Sequence, residues 1–198
     1  MPTEVPARIM DATRACLLAE GYANLSTRTV ARTAGVPVSQ IHYHFGSKEN
    51  MVLAMLAHEN QRLVARQRQM YATQVPLSKR YRQACDFLDI DITSGYVRIL
   101  QEAIAAGWTE RAVADQVLAM LRGWTDLLVT VAREAEERFG TLGPFTADDV
   151  ATLVAVAFIG GEALILLGDP DWSSRVRVAL RRFGDLIELM EDRVEGRA

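Results

Sequence analysis

Cysteine, proline and a charge excess of one sign are all scarce in this chain. Two cysteines, Cys16 and Cys85, lie far apart in apolar helical patterns. That excludes a disulfide framework and reads as two small buried side chains in a reducing compartment. Only 6 prolines and 13 glycines in 198 residues exclude collagen-like and low-complexity classes. The 22 basic and 25 acidic side chains leave a net charge of −3, so the molecule as a whole is no polyelectrolyte binder, although a local basic patch is compatible with it. The start, Met-Pro-Thr-Glu-Val-Pro, lacks the basic-then-apolar layout of a leader peptide. The most apolar stretch, 150–167, is interrupted by Gly160-Gly161-Glu162 and falls short of the ~20 residues of a span, so a helix buried in protein is expected there. No membrane contact, metal or cofactor is expected, and a soluble cytoplasmic protein is. His42 and His44 are two apart, about 200° around a helix, and cannot chelate one ion from one face.

What is present is helix pattern throughout. Apolar residues make up 49% and charged residues 24%, which suits a globular chain with a sizeable core. Ile9, Ala12, Thr13, Cys16 and Leu17 share one helical face, and Gly21 is expected to end that helix. Ser26 reads as the N-cap of a short helix carrying Val30, Ala31 and Ala34, and Gly35 as its stop. Pro37 opens a second short helix with Ile41 and Phe45 on its buried side; Gly46 breaks it and Ser47 caps the next, longer helix. Beyond residue 50 the helices lengthen: 48–73, 78–94, 110–139, 146–168 and 173–194 are expected. In the last of these Val176, Ala179, Leu180, Phe183, Ile187 and Met190 should face inward. The fold class is all-α, divided at 1–48 and 49–198. Residues 1–50 carry five basic side chains against four acidic ones, the sign expected of a DNA-facing part on an acidic body.

Two short helices joined by Ala34-Gly35-Val36 after a longer one form a helix-turn-helix layout, whose second helix enters the major groove. Val38, Ser39, Gln40 and His42 are short or polar there, and Gln suits adenine. Tyr43, His44 and Lys48 come next and can bond phosphates, as can backbone amides at the Ser47-capped helix start. A Ser39–His42 catalytic pair is not supported: no acidic third group is near in sequence, and an exposed helix offers no oxyanion hole.

The string Thr27-Arg-Thr-Val-Ala-Arg-Thr-Ala-Gly-Val-Pro-Val-Ser-Gln-Ile-His-Tyr-His-Phe-Gly-Ser-Lys-Glu resembles the DNA-binding head of the tetracycline-repressor family of bacterial regulators, with the resemblance extending over 8–56. The family implies a helical ligand-binding and dimerisation domain behind the head. It implies that Thr27 and Arg28 meet phosphate or, for Arg28, a base, that Gln40 and His42 face the groove, and that Tyr43, His44 and Lys48 grip phosphates. Two positions depart from the pattern. Pro37 stands where the family often has a capping Ser, and His42 where Tyr is commoner.

Three classes are compared: a ligand-responsive regulator, an all-helical enzyme with a borrowed head, and an architectural DNA-binding protein. The enzyme would need a cluster of titratable residues in the body, where only scattered ones occur; the architectural protein would need a solid core. The expectation is therefore a regulator and not an enzyme: a homodimer joined through its last two helices, bound to double-stranded DNA and released by a small apolar effector. Phe87, Tyr96, Trp108, Trp124 and Phe158 are candidate aromatic walls of the effector pocket. Glu162 interrupts an apolar helix, where an unpaired charge is costly, so it is a candidate for pairing with an arginine, for the dimer seam or for recognising a ligand's donor or cation. Gly160-Gly161 is expected to permit close helix approach, with a dimer interface as one place for it.

Overall fold

The computed structural model describes residues 4–196; the outermost residues of both expected domains, and the first three of the N-terminal segment tested for a leader layout, lie outside it. Among the described residues there are nine α-helices and no strand. The chain forms two compact units, Met1–Leu63 with Gly95–Met120 and Val64–Ser94 with Leu121–Ala198. Two long helices, α4 (Lys48–Tyr71) and α7 (Arg111–Phe139), contribute to each.

In the first unit, α1 (Glu4–Asn24) buries Ile9, Ala12, Thr13, Cys16 and Leu17, the face expected from their spacing. Gly21 ends its regular run, as expected. The helix breaks there, at φ 74 and ψ 168, and resumes to Asn24. α2 (Thr27–Ala34) is capped by Ser26, whose side chain accepts from Thr29 N, and stops at Gly35 in the left-handed region, φ 64. α3 (Val38–Phe45) comes after Pro37, which supplies no side-chain cap. Ile41 is fully buried as expected, but Phe45 is only half-buried because it sits in the last turn, beside the Gly46 break. Ser47 accepts from Asn50 N at 3.1 Å and so starts α4, whose Met51, Val52, Met55 and Leu56 complete this core. After Gly95 comes α6 (Tyr96–Gly107), burying Tyr96, Val97, Ile99, Leu100 and Ala103. Leu18 packs so closely on Gly95 that any Cβ there would overlap it.

In the second unit, α5 (Leu77–Ser94), α8 (Ala147–Leu166) and α9 (Pro170–Glu195) pack with the ends of α4 and α7. Phe158 is central: its ring meets Tyr81 at 6.1 Å and Trp124 at 6.2 Å, both edge to face. Thr146 and Asp149 form a reciprocal capping box at the start of α8. Asp169 caps α9 and Pro170 occupies its first turn, so the helix begins before the expected residue 173. The twin glycines divide their work. A Cβ on Gly161 would meet Val176 Cγ1 at 2.8 Å, so Gly161 lets α8 approach α9 within the chain, whereas Gly160 faces open space.

Two expectations about the last helices are corrected. α8 runs 20 residues, so length does not exclude a span, and it is the one described helix long and apolar enough to cross a membrane. Its Ala147, Ala151, Ala155, Phe158, Gly161 and Ile165 form a buried stripe, but only 28% of its most apolar window is covered. The opposite stripe leaves Leu153, Val156 and Leu167 exposed, Val156 by 63%. On α9, of the residues expected to face inward only Leu180 is buried. Val176, Phe183, Ile187 and Met190 are half-buried and Ala179 is exposed, because they border an open cleft.

Candidate nucleic-acid interface

The turn between α2 and α3 is held from α1. Arg8 Nη2 donates to Ala34 O at 2.6 Å and to Gly35 O at 3.2 Å, so one guanidinium ties up the last carbonyls of α2. A cation there also complements the negative end of the α2 dipole. Sequence reasoning missed Arg8. Its partners are 26 and 27 residues away, and nothing in a helical period marks such a contact.

Held this way, the second short helix presents a polar face. Ser39 and His42 are exposed, Val38 and Gln40 are half-buried, and Tyr43 is 80% exposed. Ile41 fastens the opposite side to the core. His42 Nδ1 lies 3.2 Å from Gly46 O, an interaction that orients the ring over the end of its own helix. His44 is half-buried with its ring edge-on to Tyr43 at 4.9 Å. Arg28 is exposed and Thr27 half-buried at the start of α2. These eight residues therefore fall on α2 and α3. Lys48 is placed differently. Its Nζ donates to Tyr22 O at 3.3 Å and lies 4.6 Å above the Tyr22 ring, so its charge is engaged within the unit.

The six body residues do not form one group. Tyr96 is buried in the first unit, donating to Asn60 Oδ1 at 3.2 Å, and Trp108 is 82% exposed at the end of α6. Trp124 donates to Gln67 Oε1 at 2.8 Å and meets the buried Phe158. Phe87 lies under the Arg66 guanidinium at 4.1 Å, and Glu162 is half-buried on α8. Among the described residues of the second unit lie two apolar cavities of about 260 and 440 Å³, which share Tyr81, Phe145, Val150, Val154 and Phe183, and none of the six lines either. Aromatic residue type signalled a hydrophobic interior but could not separate a wall from a filled core.

Burial raises the Tyr71 and Tyr81 hydroxyls well above the ordinary tyrosine range and pushes the Cys85 thiol up to about 11. All three stay neutral near pH 7, which suits an apolar environment and supplies no nucleophile. Both cysteines are free and buried. Among the described residues no cluster of His, Cys, Asp and Glu has the arrangement of a metal site.

A helix-turn-helix with a fastened apolar back and a polar, exposed second helix is the working part of a DNA-binding protein. Residues 9–55 match the family described as bacterial regulatory proteins, tetR family. That match runs from α1 into the start of α4, and the chain as a whole has a TetR-like fold. Solved structures resemble it along nearly their whole length. A TetR-family regulator from Rhodococcus sp. is 18% identical with a TM-score of 0.79, covering 93% of this chain and 98% of its own. A transcriptional regulator from Saccharomonospora viridis, solved in complex with choline, is 20% identical with a TM-score of 0.77, covering 91% and 95%. A TetR regulator from Haloarcula marismortui is 19% identical with a TM-score of 0.77, covering 93% and 98%. No curated protein sequence matches the chain.

Proposed function

We propose that this protein is a homodimeric, sequence-specific repressor that leaves a pseudo-palindromic operator when a small apolar effector binds. The observation that carries the reading is α3: Ser39, Gln40, His42 and Tyr43 stand on the side opposite the buried Ile41. In this reading Gln40 and His42 meet base edges with Val38 and Ser39 packed beside them, while Thr27, Arg28, Tyr43 and His44 hold phosphates. Lys48 acts from behind, through Tyr22, more than by gripping phosphate. The functional division falls at 1–48 and 49–198, and the protein works in the cytoplasm.

One head reads only a few base pairs, so a two-fold dimer is needed. The exposed Leu153 and Val156 of α8 and Leu167 just past its end, with Val178, Leu186 and Leu189 of α9, support a seam formed by these helices. A second copy covering that stripe accounts for a helix as apolar as a membrane span. The effector lies in the second unit, against the five residues shared by the two cavities, with Trp124 and Phe158 supporting Tyr81 from behind. The lining favours an uncharged ligand over a cation such as the choline bound by the Saccharomonospora viridis protein. A coupling of about 1–3 kcal/mol between effector and operator changes affinity about 5–150-fold.

The test is selection of duplexes from a random pool by the purified protein at about 0.15 M salt, where counterion release still discriminates strong sites. The expected result is an enriched inverted repeat with half-sites about one helical turn apart. Arg28→Glu should abolish enrichment, and Gln40→Ala should relax it at one base position per half-site. No enrichment, before and after refolding to remove a co-purified ligand, would refute the reading.

A further inference from the structure

We infer that Arg98 and Glu102 of α6 form a clamp that holds α1 broken at Gly21 and thereby keeps the helix-turn-helix competent for its operator. In an unbroken helix Tyr22 N would donate to Leu18 O. The ψ of 168 at Gly21 turns that N–H away. Each separated group has a partner from α6. Tyr22 N donates to Glu102 Oε2 at 2.8 Å, and Arg98 Nη1 donates to Leu18 O at 3.1 Å. Arg98 Nε also donates to Glu102 Oε1 at 3.1 Å, closing the circuit. One ion pair thus replaces one helix bond, donor for donor and acceptor for acceptor.

Tyr22 is also where the other elements meet. Its carbonyl accepts from Lys48 Nζ at the start of α4 and from Leu25 N, just before the Ser26 cap of α2. Moving Tyr22 therefore moves the entry to the helix-turn-helix.

The clamped arrangement carries costs that make a second arrangement accessible. The φ and ψ of Gly21 lie in a region essentially reserved for glycine, and Tyr22 Oη is buried with no hydrogen-bond partner. If α6 withdraws, Gly21 can turn helical and Tyr22 N can return to Leu18 O. The two backbone groups, Tyr22 N–H and Leu18 C=O, have a partner in either arrangement, which is the property of a two-state element. α6 follows α5 directly at Gly95, so a shift of α5 reaches the clamp along the chain. This role rests on the regulator reading above.

Gly21→Ala tests the clamp without removing any of its side chains. A methyl at Gly21 meets only ordinary contacts, the nearest being Arg98 Nη2 at 3.7 Å, but alanine does not tolerate that backbone conformation. It should therefore drive α1 to the straight form. Gly21→Ala and Glu102→Ala should each weaken the selected operator about 10-fold, and the double variant also about 10-fold, because both throw the same switch. Glu102→Gln, which still accepts from Tyr22 N, should stay within about 3-fold of the original. Amide exchange gives a readout that needs no DNA. Tyr22 N–H should exchange faster in Glu102→Ala, where glycine at position 21 leaves α1 free to move between both forms, yet remain slow in Gly21→Ala, where alanine keeps the straight form and Leu18 O holds the amide. Unchanged exchange in Glu102→Ala, losses that multiply in the double variant, or unchanged operator affinity in Gly21→Ala would each overturn the clamp. A wild-type protein that selects no duplex would instead overturn the regulator reading, and the exchange pattern would still decide whether the clamp exists.

Discussion

Glu191 offers the sharpest test of how the second unit is held together. It lies on α9 and is almost fully buried. Its carboxylate accepts from Leu77 N at 2.8 Å, Ser78 N at 3.3 Å and Ser78 Oγ at 2.5 Å, and pairs with Arg138 Nη1 at 3.0 Å. Pro76 precedes α5 and has no side chain to cap it, so Glu191 caps α5 from more than a hundred residues away. Removing one partner of a buried, hydrogen-bonded charge typically costs about 3–5 kcal/mol, because the remaining groups stay buried and unpaired. For a chain of this size each kcal/mol corresponds to about 2–4 °C in Tm, so Glu191→Ala should lower the melting temperature by about 6–20 °C. Glu191→Gln keeps one acceptor and should cost about 1–3 kcal/mol.

Arg82 is the matched control. It bridges the same two helices with bonds of 2.7 Å to Asp185 and 2.7 Å to Glu188, but both carboxylates are solvated. Such exposed pairs are worth about 0–1 kcal/mol, so Arg82→Ala should barely move the transition despite its short distances. Thermal unfolding followed by circular dichroism decides the matter. A Glu191→Ala loss below about 1 kcal/mol, or one no larger than that of Arg82→Ala, would refute the argument that burial sets the worth of these contacts.

Two further outcomes concern the titrating groups. The rise of the Cys85 thiol to about 11 from 9.0, through burial, leaves about a hundredfold less thiolate at pH 8, so a thiol reagent should modify native Cys85 at least that much more slowly than the unfolded chain. Equal rates would show the site to be open. The Asp149 carboxyl is held below its ordinary range by the Thr146 hydroxyl and backbone amide. A depressed acid stabilises the fold above its unfolded value of about 3.9, and that contribution is lost as pH falls through the folded value. The Thr146 amide, 2.9 Å from Asp149 Oδ2, should accordingly lose protection only under acid conditions, and an amide signal unchanged down to about pH 2 would refute the capping box.

Local rules determined much of this protein. The buried face of α1, the Ser26, Ser47 and Thr146 caps and the Gly35 stop depend on residues within a few positions of one another, and helical period and cap chemistry are local physics. The helix-turn-helix was legible for the same reason: it is a run of consecutive residues whose types and spacing carry the geometry.

Tertiary structure decided the rest. Whether Trp108 lines a wall or faces solvent, whether Lys48 reaches outward or back to Tyr22, and which residues of α9 border a cleft all depend on what chain packs alongside. Arg8, Glu102 and Glu191 act on backbone groups 26, 80 and 114 residues away, and no period within a helix encodes such a partner. The break at Gly21 illustrates the division. Glycine made the conformation available, which the sequence reveals, but the carboxylate and guanidinium that hold α1 in it arrive from another helix.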